Sequence, residues 1–134
     1  MSQFAHHTVS SVLAIHEQVL AAHGGLAGVK DLGLLESAIA APQASFGGQP
    51  LVQDPLEIAA AYLFHLCQNH PFNDGNKRTA LAACLVFLTQ NNLHDPDTPL
   101  DVDKWETLVL DVAASRTGKT ELTSRLKDLA QKSS

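Results

Sequence analysis

The sequence predicts an all-α protein, a single domain over residues 1–134 with about six helices around a central apolar helix. Three observations predict this class. A length of 134 residues suits one hydrophobic core. The composition is 45% hydrophobic but only 5% aromatic, and Ala and Leu, which favour helices, supply most of the apolar residues. Apolar residues also recur at three- and four-residue intervals through most of the chain.

The first two helices follow from this spacing and from their end signals. A first helix is predicted over about 9–23, where Ser10 or Ser11 can cap the start and the Gly24-Gly25 pair ends the pattern. After a glycine-rich turn, Asp31 can cap a second, short helix. That helix should end before the next proline, because proline disfavours helical backbone at the preceding residue.

Residues 42–54 differ in kind from the rest of the chain. They contain two prolines and the adjacent glycines Gly47 and Gly48, and they lack helical periodicity. This composition predicts a loop or an irregular hairpin. Loops of about a dozen residues in a compact domain are often functional, although a simple connector is an equally open interpretation.

Four further helices account for the remainder. Asp54 followed by Pro55 is typical of a cap and a first helical residue, and this helix should run to about Asn69. Residues 76–90 are apolar almost all round, which predicts the buried central helix. A fifth helix should begin near Asp101 or Asp103, and a final amphipathic helix should span 121–131.

Charge and cysteine usage exclude several classes of protein. The chain has 9 Lys and Arg against 14 Asp and Glu, a net charge of −5, which argues against direct binding of nucleic acid. Cys67 and Cys84 lie in apolar stretches without metal-ligand spacing, so we expect buried thiols in a reducing compartment. The chain does not begin with a basic segment followed by an apolar run, so neither a membrane anchor nor export is expected. We therefore expect a cytoplasmic location.

The segment HPFNDGNKR, residues 70–78, joins the third and fourth predicted helices and holds most of the candidate chemistry. The first amide groups of a helix have no intrahelical acceptor and attract anions. Gly75 allows positive φ and a close approach to the backbone, so the amides of Gly75, Asn76 and Lys77 can form a phosphate cradle. Lys77 and Arg78 add two cations, which oppose the helix dipole unless an anion binds there.

The remaining polar residues of the segment supply the other parts of a phosphoryl or nucleotidyl transferase. Asp74 suits a Mg²⁺ ion bound to phosphate oxygens, and His70 suits proton abstraction from a hydroxyl group near neutral pH. Phe72 is expected to be a packing anchor. Each of these residues also has an ordinary structural explanation as a turn, cap or surface residue, and it is their conjunction that favours catalysis.

The segment resembles the signature H-x-F-x-(D/E)-(G/A)-N-(G/K)-R of the Fic/Doc superfamily, and all seven specified positions match. The flanking segments GGLAGVKDLGLLESAIAAPQASFGG and TALAACLVFL resemble those of the death-on-curing (Doc) branch. The resemblance implies ATP and Mg²⁺ as cofactors, with His70 as the base and Asp74 as the Mg²⁺ ligand. It further implies an anion hole at Gly75 and Asn76, and a phosphate contact from Arg78.

The same resemblance implies that residues 42–54 form a flap that docks the target polypeptide, with Ser45, Phe46, Gly47 and Gly48 at its tip. It also bears on the group transferred. Doc members carry Lys at the position of Lys77, which implies a protein kinase toxin that transfers the γ-phosphate to a hydroxyl of elongation factor Tu. Fic adenylyltransferases have Gly there, and Gly75 matches them, so adenylyl transfer stays an alternative.

The resemblance implies restraint by an antitoxin. Family inhibitory segments read (S/T)-x-x-x-E-(G/N), and the nearest match, Thr117–Glu121, is followed by Leu122, so it is interpreted as a turn and helix start. A Phd-like antitoxin with a disordered inhibitory segment, acting in trans, is therefore expected. A catalytically silent binding module is a second alternative. A metal hydrolase is disfavoured, because the histidines lack ligand spacing.

Overall fold

Helices make up most of the chain, and the predicted all-α class is confirmed. The computed structural model describes residues 4–131. The helices are α1 Val9–His23, α2 Leu32–Ala40, α3 Pro55–Asn69, α4 Asn76–Gln90, α5 Val102–Ala113 and α6 Lys119–Gln131. Between α2 and α3 lie a 3-10 turn, Ala41–Gln43, and the strands β1 Ser45–Phe46 and β2 Gln49–Pro50.

Helix α1 begins with a capping box at Thr8, two residues before the first of the predicted caps. Thr8 is extended, and its hydroxyl accepts a hydrogen bond from Ser11 N at 3.1 Å, while Ser11 Oγ accepts one from Thr8 N at 2.9 Å. The assignment of the cap to Ser10 or Ser11 was therefore wrong. Both serines lie inside the first turn, because helical backbone already begins at Val9.

The other helix starts agree closely with the sequence. Asp31, Asp54 and Asp101 each accept a hydrogen bond from a backbone amide of the first turn of the helix they precede, and Pro55 is the first residue of α3. Helix α6 begins at Lys119, two residues before the predicted start. The segment Thr117–Glu121 is thus the turn and helix start that was predicted.

Helices α3 and α4 share the centre of the fold. Helix α3 packs against α2, α4, α5 and α6, and α4 packs against α1, α3 and α5. The buried side of α4 consists of Thr79, Ala80, Ala83, Cys84, Phe87 and Leu88. Its remaining apolar residues, among them Leu81 and Leu85, are only half-buried. One side of the central helix therefore faces a space that other helices do not fill.

Both cysteines are buried free thiols, as predicted. Burial raises the pKa of Cys67 to about 12 and also raises the pKa of Cys84. A thiol with a raised pKa is a poor nucleophile, so these residues act as small apolar groups. Within residues 4–131, no helix combines the length and apolarity needed to cross a membrane.

The irregular segment contains a two-stranded hairpin, one of the two predicted outcomes. Ser45 pairs with Pro50 and Phe46 with Gln49. Gly47 and Gly48, with φ of 60° and 81°, form the two-residue turn. Both positions of such a turn need positive φ, which explains the adjacent glycines. The hairpin presents Phe46 to solvent with 81% of its surface exposed.

Candidate active site

The segment 70–78 forms a tight connection between the two central helices. Helix α3 ends at His70, whose φ of 51° and ψ of 54° lie in the left-handed region. Helix α4 begins after Gly75, which has a φ of 76° and a ψ of 17°. His70 is exposed. The left-handed residue at each end of the connection reverses the chain, so that His70 and the start of α4 border the same cavity.

Asn76 closes this connection on itself. Its Oδ1 accepts a hydrogen bond from Phe72 N, and its Nδ2 donates one to Phe72 O, both at 2.9 Å. Asn76 and Phe72 are both buried, which agrees with a packing role for Phe72. Because both ends of the Asn76 side chain are engaged, its backbone amide is the group that remains for an anion.

The glycine-rich turn between α1 and α2 is hydrogen-bonded through its backbone to the backbone of the motif. Val29 forms an isolated antiparallel bridge with Phe72. Lys30 N donates to Pro71 O at 2.8 Å, and Asn73 N donates to Gly28 O at 3.1 Å. Gly28 has a φ of 113°, a conformation that L side chains rarely adopt, and a Cβ there would lie 2.8 Å from Asn73 Nδ2. Sequence reasoning described this segment merely as a turn, although its dense glycines signalled close backbone contact.

Asp74 is oriented by two backbone amides. Its Oδ2 accepts a hydrogen bond from Leu26 N at 3.2 Å, and its Oδ1 accepts one from Gly75 N at 3.0 Å. These two bonds, with a smaller contribution from the nearby Arg78 charge, lower the pKa of the Asp74 carboxyl. The carboxylate is therefore ionised at neutral pH. Glycine is also favoured at position 25, because its φ is 125° and a Cβ there would lie 2.9 Å from Asp74 Oδ2.

His16 of α1 is a site residue that sequence reasoning missed. Its ring stacks on Phe72 with centroids 3.8 Å apart and an interplanar angle of 7°. Its Nε2 lies 2.8 Å from Asp74 O, and a carbonyl only accepts, so Nε2 carries the hydrogen and donates. In the sequence, the only indication of a role for His16 is that a polar residue occupies the predicted buried face of the first helix.

The start of α4 offers unpaired donors and charges. The first hydrogen bond of the helix runs from Thr79 N to Gly75 O at 2.9 Å, so the amides of residues 76–78 precede the helical ladder. Lys77 and Arg78 are exposed, and neither forms an ion pair with a carboxylate in the described part of the chain. The amides at this helix start and the two cations therefore border the same cavity, where they favour an anion.

Gly75 has the predicted positive φ of 76° and lines the cavity at the start of α4. A Cβ at Gly75 would point at α1, 3.4 Å from Leu20 Cδ2 and 3.5 Å from Val19 Cγ1. The residue type at position 75 therefore affects the turn and its packing on α1.

Every residue of the motif except Pro71 and Phe72 lines a cavity of about 740 Å³. This volume is within the range of small-molecule sites. Its polar end comprises His70, Asn73, Asp74, Gly75, Asn76, Lys77 and Arg78, and its walls include Leu81, Leu85, Val102, Glu106 and Leu110. Ser45, Phe46, Gly47 and Gly48 do not line it. The structure thus brings the motif together and leaves the hairpin outside the cavity.

The donor set fits Mg²⁺ carried by a nucleotide. Asp74 supplies one ionised carboxylate beside the anion-binding position. Within residues 4–131, no three or more His, Cys, Asp or Glu side chains come together. Mg²⁺ typically uses one or two carboxylates together with phosphate oxygens and water. Asp74 with a bound triphosphate meets that requirement.

Comparisons with known proteins agree with this geometry. The model of the Fic/DOC family matches residues 6–88. The chain is 36% identical over 94 residues to a protein named "Protein kinase doc" from Escherichia phage P1, covering 70% of this chain and 74% of that protein. It is 44% identical over 92 residues to a "Toxin Doc" from Mycolicibacterium smegmatis, covering 69% of this chain and 70% of that protein.

Proposed function

Because the chain belongs to the Doc branch of the Fic/DOC family, we propose that it is a growth-arresting toxin with protein kinase activity. The substrates are ATP, bound with Mg²⁺, and a Thr or Ser hydroxyl of a bacterial translation protein. The toxin name of one relative and the kinase name of another support this assignment. The cavity, with the Asp74 carboxylate beside an anion-binding helix start, supports a nucleotide substrate.

One observation carries the choice of the γ-phosphate over the adenylyl group. Lys77 places an unpaired cation at the second position of α4, inside the anion-binding site. An ammonium group there occupies space and attracts the terminal phosphates, which favours a nucleotide orientation that presents the γ-phosphorus. Gly75, the feature shared with adenylyltransferases, also lines the cavity, but it differs from Ala by only one methyl group. The ammonium group and stem of Lys77 change the volume and charge of the site far more, so Lys77 outweighs Gly75 in the choice.

In this mechanism, the target hydroxyl attacks the γ-phosphorus while the bond to the bridging β-phosphate oxygen breaks and ADP leaves. His70 accepts the hydroxyl proton, and its exposed position at the cavity edge suits contact with a bulky protein target. The amides of residues 76–78 and the Arg78 guanidinium bind the negative charge of the transferred group. Mg²⁺ at Asp74 would neutralise charge on the phosphate oxygens.

We propose elongation factor Tu as the target, with a threonine as the modified residue, and arrest of translation in the cytoplasm as the outcome. The hairpin supports a docking role, because Phe46 is 81% exposed and Leu51 is 65% exposed. Apolar side chains at such exposure are candidates for contact with another protein. The hairpin would hold the target segment while its hydroxyl reaches His70.

The restraining partner is proposed to be a Phd-like antitoxin with a disordered inhibitory segment. The α5 wall of the cavity supports such a partner, since Val102 is 57% exposed and Leu110 is 51% exposed. An amphipathic segment that folds on binding can cover an apolar groove of this kind. Its position beside the nucleotide site would make binding inhibitory.

Expression of the chain in bacteria tests the proposed function. Growth should stop, and His70→Ala should relieve the arrest while binding of Mg·ATP, measured by isothermal titration, persists. Co-expression of an antitoxin encoded beside this chain should also restore growth. An equally toxic His70→Ala variant would refute His70 as the base, and absence of ATP binding by the unaltered chain would favour a catalytically silent binding module.

A further inference from the structure

Helix α1 touches the active-site loop through a buried histidine, His16, which is 4% exposed. We propose that His16 is a positioning residue that fixes the peptide between Asp74 and Gly75, so that the amides at the start of α4 face the phosphates. The inference rests on the proposed nucleotide-dependent function. It concerns a residue outside the motif that touches neither the nucleotide nor the target in this mechanism.

Three contacts place His16 against this one peptide. Its Nε2–H donates to Asp74 O at 2.8 Å. Its ring stacks on Phe72, whose amide and carbonyl are both bound by Asn76. Its Cδ2 lies 3.7 Å from the point where a Cβ of Gly75 would be. The ring is thereby held on one side by the loop and aims its donor at the carbonyl that precedes α4.

The direction of this carbonyl decides the electrostatics of the site. Gly75 has no Cβ and tolerates several backbone conformations, so its sequence alone does not fix the preceding peptide. A carbonyl turned towards the cavity would place partial negative charge beside the phosphates. With the His16 bond in place, the carbonyl points at α1, and the Gly75 amide is free to bind Asp74 Oδ1. One donor therefore orients both the anion hole and the metal-binding carboxylate.

The chain contains a matched control for this bond. His7 is also buried, at 3% exposure, and its Nε2 lies 2.7 Å from the backbone oxygen of Ala83. Its ring likewise contacts an aromatic side chain, Tyr62, at 5.0 Å. It does not line the cavity. Replacing either histidine by Phe removes the same kind of buried hydrogen bond, but only His16 acts on the active-site loop.

The test measures the Kd of Mg·ATP by isothermal titration for His16→Phe and His7→Phe, each at a temperature where denaturant unfolding shows the variant to be folded. His16→Phe should weaken ATP binding about tenfold, the lower end of what loss of an orienting outer partner costs a site. His7→Phe should lower stability and leave the Kd unchanged. The ATP-induced shifts of the amide NMR signals of residues 76–78 should shrink in His16→Phe alone.

A second pair of variants keeps the test informative if His16→Phe does not fold. His16→Gln and His16→Met have side chains of similar size and flexibility, but only Gln can donate to Asp74 O. The Gln variant should bind ATP more tightly than the Met variant. Equal affinity in this pair, or equal weakening in His16→Phe and His7→Phe, would overturn the inference. Failure of the unaltered protein to bind ATP would instead overturn the proposed function on which it rests.

Discussion

His70, Asp74 and Lys77 illustrate how single residues gain chemical roles from their surroundings. His70 occupies a left-handed backbone conformation at the end of α3, and Asp74 is held by two amides. Lys77 remains without a carboxylate partner in the described part of the chain. The proposed base, the proposed metal ligand and the cation therefore differ in how strongly the fold fixes them, and the proposal assigns the choice of phosphate to Lys77, which has no such partner among the described residues.

Replacement of Lys77 tests that determinant. Lys77→Gly removes a cation from the anion-binding position and should lower the rate of γ-phosphate transfer about 10²-fold, as expected when one electrostatic donor to a transition state is lost. Lys77→Arg keeps the charge and should retain more of the activity. Single-turnover transfer from γ-labelled ATP measures both. An unchanged rate in Lys77→Gly would show that the ammonium group takes no part.

His7 makes stability depend on pH. Burial lowers the pKa of His7 below the usual 6.5, and its bond to Ala83 opposes this only in part. The unfolded chain then binds more protons than the folded one below pH 6.5, so the free energy of unfolding should decrease as the pH falls from that value. Carboxylates with lowered pKa values, such as Asp54, reduce the stability only when the pH falls below their usual pKa of 3.8.

Urea unfolding of the unaltered chain and of His7→Gln, followed from pH 7 downward, measures this dependence. Between pH 6.5 and pH 3.8, the slope of unfolding free energy against pH should be smaller in His7→Gln, because the titrating imidazole is absent. Identical slopes in both proteins would mean that His7 does not become charged on unfolding, contrary to the assignment.

At the residue scale, sequence reasoning found the motif but not its supports. The nine residues 70–78 carry a dense pattern of charge and turn formers, which local chemistry is sufficient to interpret. His16, Gly25 and Gly28 act on the motif across more than 40 positions of sequence, as the Asp74–Leu26 bond with its separation of 48 illustrates. Their importance depends on which backbone they meet, and periodicity does not encode that.

The hairpin β1–β2 is the element whose role depends most on a partner. It has two residues in each strand, and its tip contributes nothing to the cavity lining. Hairpins this short are not stable by themselves, so neighbouring structure must support it. An exposed aromatic at its tip makes sense when the hairpin contacts another protein.

Phe46→Ala tests this contact. Modification of the protein target should fall at least about tenfold in kcat/KM, because a buried aromatic often dominates an interface. The Kd of Mg·ATP should stay the same, since Phe46 does not line the nucleotide cavity. Phe46→Tyr should retain most of the modification. Unaltered kcat/KM in Phe46→Ala would remove the hairpin from target docking.

Among the elements, the helices and most of their bounds were predicted correctly, and the main error was the cap of α1. The apolar stripes of α1 and α3 gave their bounds, because a buried face repeats every three or four residues and Asp54-Pro55 marks a start. The cap of α1 was misplaced because Thr8, Ser10 and Ser11 are all acceptable cap residues. Backbone geometry at Thr8 decides among them, and composition does not.

The whole molecule combines a net charge of −5 with a local cluster of positive charge. The acidic surface argues against polyanionic partners, whereas Lys77 and Arg78 sit together where α4 opens into the cavity. Helix α4 is apolar all round for two reasons, since one side packs in the core and the other forms a cavity wall. Its apolar circumference predicted its central place, but the cavity depends on the arrangement of α1, α4 and α5, which the sequence does not show.

We propose that this protein transfers the γ-phosphate of ATP to a protein hydroxyl. The most direct measurement incubates the purified chain and elongation factor Tu with Mg²⁺ and ATP labelled at either the α- or the γ-phosphate, with His70→Ala as the inactive control. We expect label on the target from γ-labelled ATP alone, and none with His70→Ala. Label transferred from α-labelled ATP would contradict the claim and identify an adenylyltransferase.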